Sequence, residues 1–429
     1  LKMKFSCKVS GLLSGIAPAI GVSTHSVVKD FRSAGKISLE SNQSEIVVSV
    51  FNGKVAVYSV VSDLTSGDLG YSCSSVGLVT VSSIDLQNVL SSFKKDDEIQ
   101  VSVSNANSGK ELVISKKSDS EEYQTLPCAS EDIEMPKSAK KFEKEVTIDR
   151  SVYNYGVNKI FWSIGYEDNM PQYLHWALRL NKDEVRFVAG TGGRFSVLTI
   201  DGENFVKSNS DESFTILFPK DHTESVKKIF NSIDDEKLEI KVNSKKSSNY
   251  QIAIKTKSHD ILFVNLDSDI DYPDENKFLS TSIANRFVTN ISEWGYVGKG
   301  IIATYSVELK KEHRQSKASV EVSKDASSLI VKSNSVMKAH RKVPVLGSVL
   351  EDDAIKFVCN SAFLKELAEH GPDQNNIQIE IPTEPKMPVV VRYHALDDVK
   401  DSSMLSSKNE SSGLNEKFAI FFARLSQDN

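Results

Sequence analysis

The stretch VAGTGGRFSV (188–197) sets Gly190, Gly192 and Gly193 beside Arg194. These are residue types that could offer backbone N–H groups and a guanidinium to an anion. A phosphate cradle opens a helix, however, and its P-loop form ends in Gly-Lys-Ser/Thr. This stretch joins two alternating strand patterns and lacks that ending, so it reads as a tight hairpin. The acidic runs Asp96-Asp97-Glu98 and Asp234-Asp235-Glu236 hold enough carboxylates to bring a divalent cation to mind. Both occupy equivalent turns between a helix pattern and a strand pattern, where carboxylates are simply solvated. Eight histidines are scattered, with no HExxH, no GxSxG elbow and no Walker sequence. Cys7, Cys73, Cys128 and Cys359 lie far apart without a CxxC pair, which fits a reduced cytoplasmic protein and neither a disulfide framework nor a zinc site. These residues expect no catalytic centre, no metal and no cofactor. They point to a binding or scaffolding protein, not an enzyme.

The elements that position these residues recur three times. SSIDLQNVLSSFKKDDEIQVSVSN is followed by ELVISKK, HTESVKKIFNSIDDEKLEIKVNS by YQIAIKT, and NSAFLKELAEHGPDQNNIQIEIPT by PVVVRYH. Each reads as an amphipathic helix, an acidic or Asn-rich turn and two alternating strands. Ile99, Leu238 and Ile377 mark the same point in each, 139 positions apart and 139 again. A period that long is a domain, not a solenoid unit. Earlier in each repeat a first helical pattern runs to a glycine, at Gly21, Gly165 and Gly295, where a left-handed C-terminal cap is expected. Strand patterns follow, and in the first repeat Asn52-Gly53 signals a type I′ hairpin. The expected unit is helix, strands, helix, strands, with two helices packed on antiparallel sheets in an α+β fold. Charged, linker-like stretches near 136–146 and 274–280 divide the chain into domains 1–136, 137–276 and 277–429. The Ser/Asn/Lys-rich stretch 397–416 reads as a surface loop before the last strand.

The composition sets bounds on this reading. With 429 residues, 39% hydrophobic and 26% charged, the chain can bury several cores. No apolar run is long enough to span a bilayer, so no membrane partner is expected. The start, LKMKFSCKVSGLLSGIAPAIG, has the basic-then-apolar look of a signal peptide, but Ser and Gly interrupt it where the repeat needs a helix, and it reads as part of the first domain. A net charge of −6 argues against bulk coating of nucleic acid while leaving room for a basic surface on one face.

Over essentially its whole length the chain resembles the bacterial-type DNA polymerase sliding clamp, the polymerase III beta subunit. The residues that carry the resemblance are Met3-Lys4-Phe5, VTVSSIDLQNVLSSF (79–93), and Thr125-Leu126-Pro127 at a strand end. They continue with VRFVAGTGGRFSV, where the family typically has V-A-T-D-G-H-R-L, and DYPDENKFL, where it has F-P-D-Y. FAIFFARL (418–425) resembles the family's closing strand. The resemblance implies three tandem clamp domains forming a crescent, and a head-to-tail homodimer closing into a ring around double-stranded DNA without sequence preference. Its implied partners are the replicative DNA polymerase, the clamp loader and other clamp-binding-motif proteins.

Implied DNA-facing residues are Lys8, Lys94, Lys95, Arg150, Lys159, Lys227, Lys228, Arg286 and Lys365, each on a predicted helix; any of them could equally belong to a solvated helix face. The implied partner-peptide pocket comprises Leu174, Gly192, Arg194, Phe195, Pro273, Lys277, Phe278, Ile420, Phe421, Phe422 and Arg424. Ring closure would join Tyr123 to Ile291 and Trp294. The chain departs from the family at Thr191-Gly192-Gly193-Arg194 in place of Asp-Gly-His-Arg, and at Phe421-Phe422 in place of Met-Pro. It departs also in residues Ser426–Asn429 past the Arg-Leu pair and in insertions in the third repeat. Two other classes stay open on the residues alone: a tandem-domain structural or adhesion scaffold without DNA binding, and an enzyme whose site is assembled across domains.

Overall fold

The three anchor residues hold equivalent places in strand pairs: Ile99 lies opposite Cys7, Leu238 opposite Ile148, and Ile377 opposite Thr289. The computed structural model describes residues 3–25, 31–65, 69–106, 109–165, 170–181, 184–201, 206–208, 213–232, 236–243, 250–305, 316–335, 337–350, 356–370, 376–393 and 416–424. The first repeat runs β1 (Lys4–Lys8), α1 (Val9–Thr24), β2 (Lys36–Ser41), β3 (Ile46–Phe51), β4 (Val55–Val61), β5 (Ser72–Ser75), β6 (Gly77–Ser82), α2 (Ser83–Ser92), β7 (Glu98–Ala106), β8 (Gly109–Lys116) and β9 (Asp119–Pro127). The second runs β10 (Lys144–Asp149), α3 (Arg150–Ile160), β11 (His175–Leu180), β12 (Glu184–Thr191), β13 (Arg194–Asp201), β14 (Val206–Ser208), β15 (Phe214–Pro219), α4 (Lys220–Ser232), β16 (Lys237–Val242), β17 (Ile252–Lys255) and β18 (His259–Phe263). After a one-turn helix, α5 (Asn276–Leu279), the third runs β19 (Ile283–Asn290), α6 (Ile291–Ile302), β20 (Lys317–Val322), β21 (Ser328–Ser333), β22 (His340–Leu350), β23 (Lys356–Asn360), α7 (Ser361–His370), β24 (Asn376–Pro382), β25 (Val389–Arg392) and β26 (Glu416–Phe422).

Each repeat therefore opens on a strand; the sequence reading folded it into the first helix in the first and third repeats and left most of Lys144–Asp149 in the linker-like stretch in the second. Ile283–Asn290, IANRFVTN, is buried on both faces, so its apolar residues are nearly continuous and fit a strand as well as a helix. The expected glycine caps are absent. Helix α1 continues past Gly21 to Thr24, Gly165 follows a 3-10 turn over Phe161–Ser163, and Gly295 lies inside α6; none of the three has a positive φ. Side chains serve the end of α1 instead: Thr24 Oγ1 donates to the Ile20 carbonyl at 2.9 Å, and Asn52 Nδ2 to that of His25 at 3.0 Å. Asn52-Gly53 does form the hairpin between β3 and β4, but not as type I′. Only Gly53 has a positive φ (91°), and the Asn52 side chain accepts from the backbone N–H of Lys54 and Val55 at 3.1 and 2.8 Å. This is an Asx-type turn in a longer loop. The Gly192-Gly193 stretch is the tight hairpin expected, with Thr191 paired to Arg194.

Among the described residues the strands form three sheets in which every pairing is antiparallel. A five-stranded sheet has the order β5-β1-β7-β8-β9, a nine-stranded sheet β14-β10-β16-β17-β18-β4-β3-β2-β6, and a twelve-stranded sheet β15-β11-β12-β13-β26-β25-β24-β19-β22-β21-β20-β23. The chain divides into two compact units, Leu1–Asn154 with Val206–Asp211 and Pro219–Asp269, and Tyr155–Phe205 with Glu212–Phe218 and Ile270–Asn429. The middle repeat thus contributes to both. In the second unit Trp176 stacks on Phe218 at 4.5 Å and on Phe187 at 6.1 Å, all three fully buried. Helix α3 packs against this core through Gly156, where an added Cβ would lie 2.4 Å from the Phe187 ring. The loop read at 397–416 falls outside the described residues except at Glu416, which starts β26.

Candidate functional site

Strand β13 pairs with β26, the last strand of the following repeat, so that Phe195 faces Phe421. Both are buried in a cluster with Ala177, Val188, Val197, Leu217, Tyr272, Val390 and Ala419. Tyr173, Ile270, Phe278 and Leu279 pack on it half-buried. The rings are tilted and edge-on: Phe195 lies 6.4 Å from Tyr173, 6.1 Å from Tyr272 and 6.1 Å from Phe278, which is 5.9 Å from Phe421. Burial raises the Tyr272 hydroxyl pKa, and that hydroxyl donates to the His175 and Val188 carbonyls, at 3.3 Å each. Half-buried Leu174 ends the short turn before β11, and exposed Gly192 lies beside Met170 and Tyr173.

Strand parity divides the pocket read from sequence. Successive side chains point to opposite faces, so Arg194 and Ile420 leave the face that Phe195 and Phe421 share. Ile420 is fully buried on the face of Phe418, whose ring lies 5.2 Å from Tyr393; the Tyr393 hydroxyl donates to Leu367 of α7 at 3.0 Å. Arg194 ion-pairs with Glu366, donates through Nη2 to the Trp162 carbonyl at 2.9 Å, and lies 4.9 Å over the Trp162 ring. Trp162 in turn stacks on His370 at 4.6 Å. Burial lowers the His370 pKa, with Arg194 and Lys365 adding to the effect and Glu366 and Glu369 opposing it. Arg424 donates to the Pro382 carbonyl at 2.8 Å, and burial lowers its pKa. Phe422 contributes backbone pairing to Arg194 and Val389, and its side chain lies outside the described part.

The segment carrying Phe278 is held by a residue that the sequence reading passed over. Glu275 is fully buried, with Oε2 2.8 Å from Arg179 Nε and Oε1 3.1 Å from Arg186 Nη1. Arg186 also pairs with Glu184 and donates to Asn276 Oδ1 at 2.7 Å; Arg179 donates to the Pro273 carbonyl at 2.8 Å. This network ties residues 273–276 to β11 and β12, which presses Phe278 onto the cluster while Lys277 stays exposed. A cleft of about 300 Å³ beside it is lined by Arg179, Arg186, Glu184, Ser213, Thr215 and Asn276 among others. The run DYPDE signals the segment, but nothing in sequence distinguishes buried Glu275 from exposed Asp274.

Of the nine basic residues, Arg150 and Lys159 lie on α3, Lys227 and Lys228 on α4, and Lys365 on α7. Four do not lie on helices. Lys8 ends β1, Lys94 and Lys95 occupy the turn after α2, and Arg286 sits on β19 with Nε 3.9 Å from Glu380. The missed opening strand of each repeat accounts for Lys8 and Arg286. Arg150 donates to the Phe230 carbonyl at 3.0 Å, Lys365 pairs with Glu369 at 3.0 Å, and burial lowers the Lys227 pKa. Of the expected closure residues, Tyr123 is 59% exposed on β9, whereas Trp294 is fully buried with Nε1 donating to Thr289 Oγ1 at 2.9 Å. Trp294 is thus core of its own unit, and half-buried Ile291 is the first residue of α6. Among the described residues no three His, Cys, Asp or Glu side chains group as a metal site, and no helix is long and apolar enough to cross a membrane.

Comparison with family models and with curated proteins finds no match. Solved structures do match, over 99% of this chain. The DNA polymerase III beta subunit of Thermotoga maritima is similar with a TM-score of 0.72 at 14% identity, over 100% of that chain. The beta subunit of Streptococcus pyogenes DNA polymerase is similar with a TM-score of 0.73 at 14% identity, and a Pseudomonas aeruginosa sliding clamp solved with griselimycin with 0.74 at 13%, each over its whole length. The fold is that of the DNA polymerase III beta sliding clamps.

Proposed function

We propose that this protein is a DNA sliding clamp. Two copies join head to tail in a closed ring that encircles duplex DNA and tethers a replicative polymerase for processive synthesis. The observation that carries the reading is a joint made twice and left open once. The last strand of the second repeat, β18, pairs with β4 of the first, and the last strand of the third, β26, pairs with β13 of the second. The last strand of the first repeat, β9, ends its sheet with no further strand paired to it among the described residues. In the third repeat β22 is the counterpart of β4 and β13. Over His340–Pro344 it pairs only with β21 among the described residues. A contact that repeats head to tail and leaves one edge of each kind closes a ring when a second copy supplies the partners.

Duplex DNA needs only weak, sequence-independent contact in such a ring, because topology retains it. That accommodates a net charge of −6. The helix cations Arg150, Lys159, Lys227, Lys228 and Lys365 are the proposed DNA-facing set, and the role is scaffolding, not catalysis. The aromatic cluster around Phe195, Phe278 and Phe421 is the proposed docking place for peptides of the polymerase, the clamp loader and other clamp-binding-motif proteins.

The test is retention after loading. The protein should stay on circular DNA and leave a linear molecule of the same length by its ends; equal retention on both would sink the ring. For the peptide site, Phe278→Ala should weaken capture of a polymerase-tail peptide by about 2 kcal/mol, the scale of an aromatic anchor. Unchanged affinity in a folded variant would remove that assignment.

A further inference from the structure

The first joint is built like the one that carries the aromatic cluster. Ala56 lies opposite Leu262 across β4 and β18, as Phe195 lies opposite Phe421 across β13 and β26. Within the hairpins Phe51 faces Ala56 where Gly190 faces Phe195, so the large and small residues trade places. Half-buried Phe31 packs edge-on to Phe51 at 5.0 Å, as Tyr173 does to Phe195. In both joints the stretch leading into the next repeat supplies the cover. Buried Ile133 stands 11 positions before β10, and Tyr272 stands 11 before β19. The two covers are held differently. Glu275, between Arg179 and Arg186, clamps the second. The first is tied near its ends. Ala129 N–H donates to the Thr80 carbonyl at 2.7 Å, and Thr80 Oγ1 donates to Asp132 Oδ1 at 3.2 Å. Gln251 donates to the Lys137 carbonyl at 3.0 Å and accepts from the Ala139 N–H at 2.8 Å. Between these ties Ile133, Glu134, Met135 and Pro136 make no main-chain hydrogen bond among the described residues. Ile133 and half-buried Met135 sit on the cluster, with Glu134 exposed between them.

We propose that residues 129–139 are a displaceable strap, and that beneath it the first joint holds a second peptide-docking site, for an extended segment with aliphatic side chains two positions apart. The analogy rests on the docking reading of the second joint, and the site it adds lies in a different part of the chain. The strap itself shows the chemistry of the occupant. Side chains at i and i+2 of an extended segment point to one face. That spacing turns Ile133 and Met135 onto the joint and Glu134 away from it. Acidic residues precede the first anchor, with Glu131 4.0 Å from Arg32 and Asp132 on Thr80. A stretch without main-chain hydrogen bonds lifts by giving up apolar contact, so a segment with the same two anchors replaces it like for like. Because the strap belongs to the chain, it competes at an effective concentration of about 1 mM. A free segment that binds the uncovered site with a Kd of about 100 µM is then held off about 10-fold. The strap thus closes the site to weak partners and leaves it open to tight ones.

The probe is a synthetic peptide copying Ala129–Ala139, ASEDIEMPKSA. By fluorescence anisotropy it should bind the full chain carrying Ile133→Ser and Met135→Ser about 10-fold or more tighter than the unaltered chain. A peptide with both anchors changed to Ser should lose that gain. Asp132→Ala loosens the strap from an exposed position and should give a smaller gain in the same direction, which keeps the test open if the double variant does not fold. Both gains should persist when Phe278→Ala is added. No gain in variants that keep the native circular dichroism would show that Ile133 and Met135 are ordinary core, and would overturn the strap. A gain that vanishes with Phe278 would put the peptide on the second joint, overturning the first-joint site and leaving the docking reading intact. A gain that persists while Phe278→Ala leaves capture of a polymerase-tail peptide unchanged would support the strap and remove the second-joint assignment.

Discussion

Glu275 shows how much of the site rests on one side chain. Its carboxylate is fully buried between two guanidiniums, and removing it leaves Arg179 and Arg186 facing each other with part of their charge out of water. Glu275→Gln keeps the shape and loses the charge. It should cost about 3 kcal/mol, the low end for breaking a buried pair, because Arg179 is a quarter exposed. Denaturant unfolding measures this, and a loss under about 1 kcal/mol would show that the network only follows the fold. Gly156→Ala tests a different physics at the same scale. Its new methyl would meet the Phe187 ring at 2.4 Å, so about 1–3 kcal/mol of overpacking is expected. Part of the aromatic cluster proposed for peptide docking was legible in the sequence: Phe195, Phe421 and Phe278 do pack together. Their grouping with Arg194 and Ile420 was not, because a list of neighbours in sequence ignores the two faces of a strand.

Among the elements, long periodic segments were the most legible. The second helices, α2, α4 and α7, and the strand pairs after them stand where the amphipathic and alternating patterns put them. Short strands abutting a helix were not. KFSCK is five residues and runs directly into Val9, so its alternation merges with the helical pattern that follows. That error displaced Lys8 and Arg286 from strands to helices; Trp294 does lie on a helix, α6, but on its buried side. The Asn52 turn was half legible: the dipeptide marks the hairpin, but the type of turn depends on a side chain that also binds the end of α1. Asn52→Ala removes acceptors from two backbone N–H groups and a donor from two carbonyls, those of Val22 and His25. The expected loss is about 2 kcal/mol. Gly53→Ala, placing a methyl on a φ of 91°, tests the backbone of the same turn separately.

At the scale of the whole molecule, three sequence repeats fold into two compact units, because each inter-repeat joint is a continuous sheet. The nine-stranded sheet lies within the first unit and the twelve-stranded sheet within the second. Each unit also has its own aromatic or aliphatic cover over the joint: Phe51, Ala56, Ile133, Leu262 and Val264 in the first, the Phe195–Phe421 cluster in the second. Cooperativity should therefore follow the units and not the repeats. Asn52 and Glu275 lie in different units. Their substitutions should shift different parts of the unfolding curve, Asn52→Ala the one that reports the first unit and Glu275→Gln the one that reports the second. Because the sites share no partner, their effects should add to within about 0.5 kcal/mol in the double variant. Hydrogen exchange on the strands of each sheet resolves the two. If either substitution lowered protection equally in both sheets, the chain would unfold as one cooperative body, and a repeat-by-repeat loss in three steps would return the domain boundaries to those of the sequence.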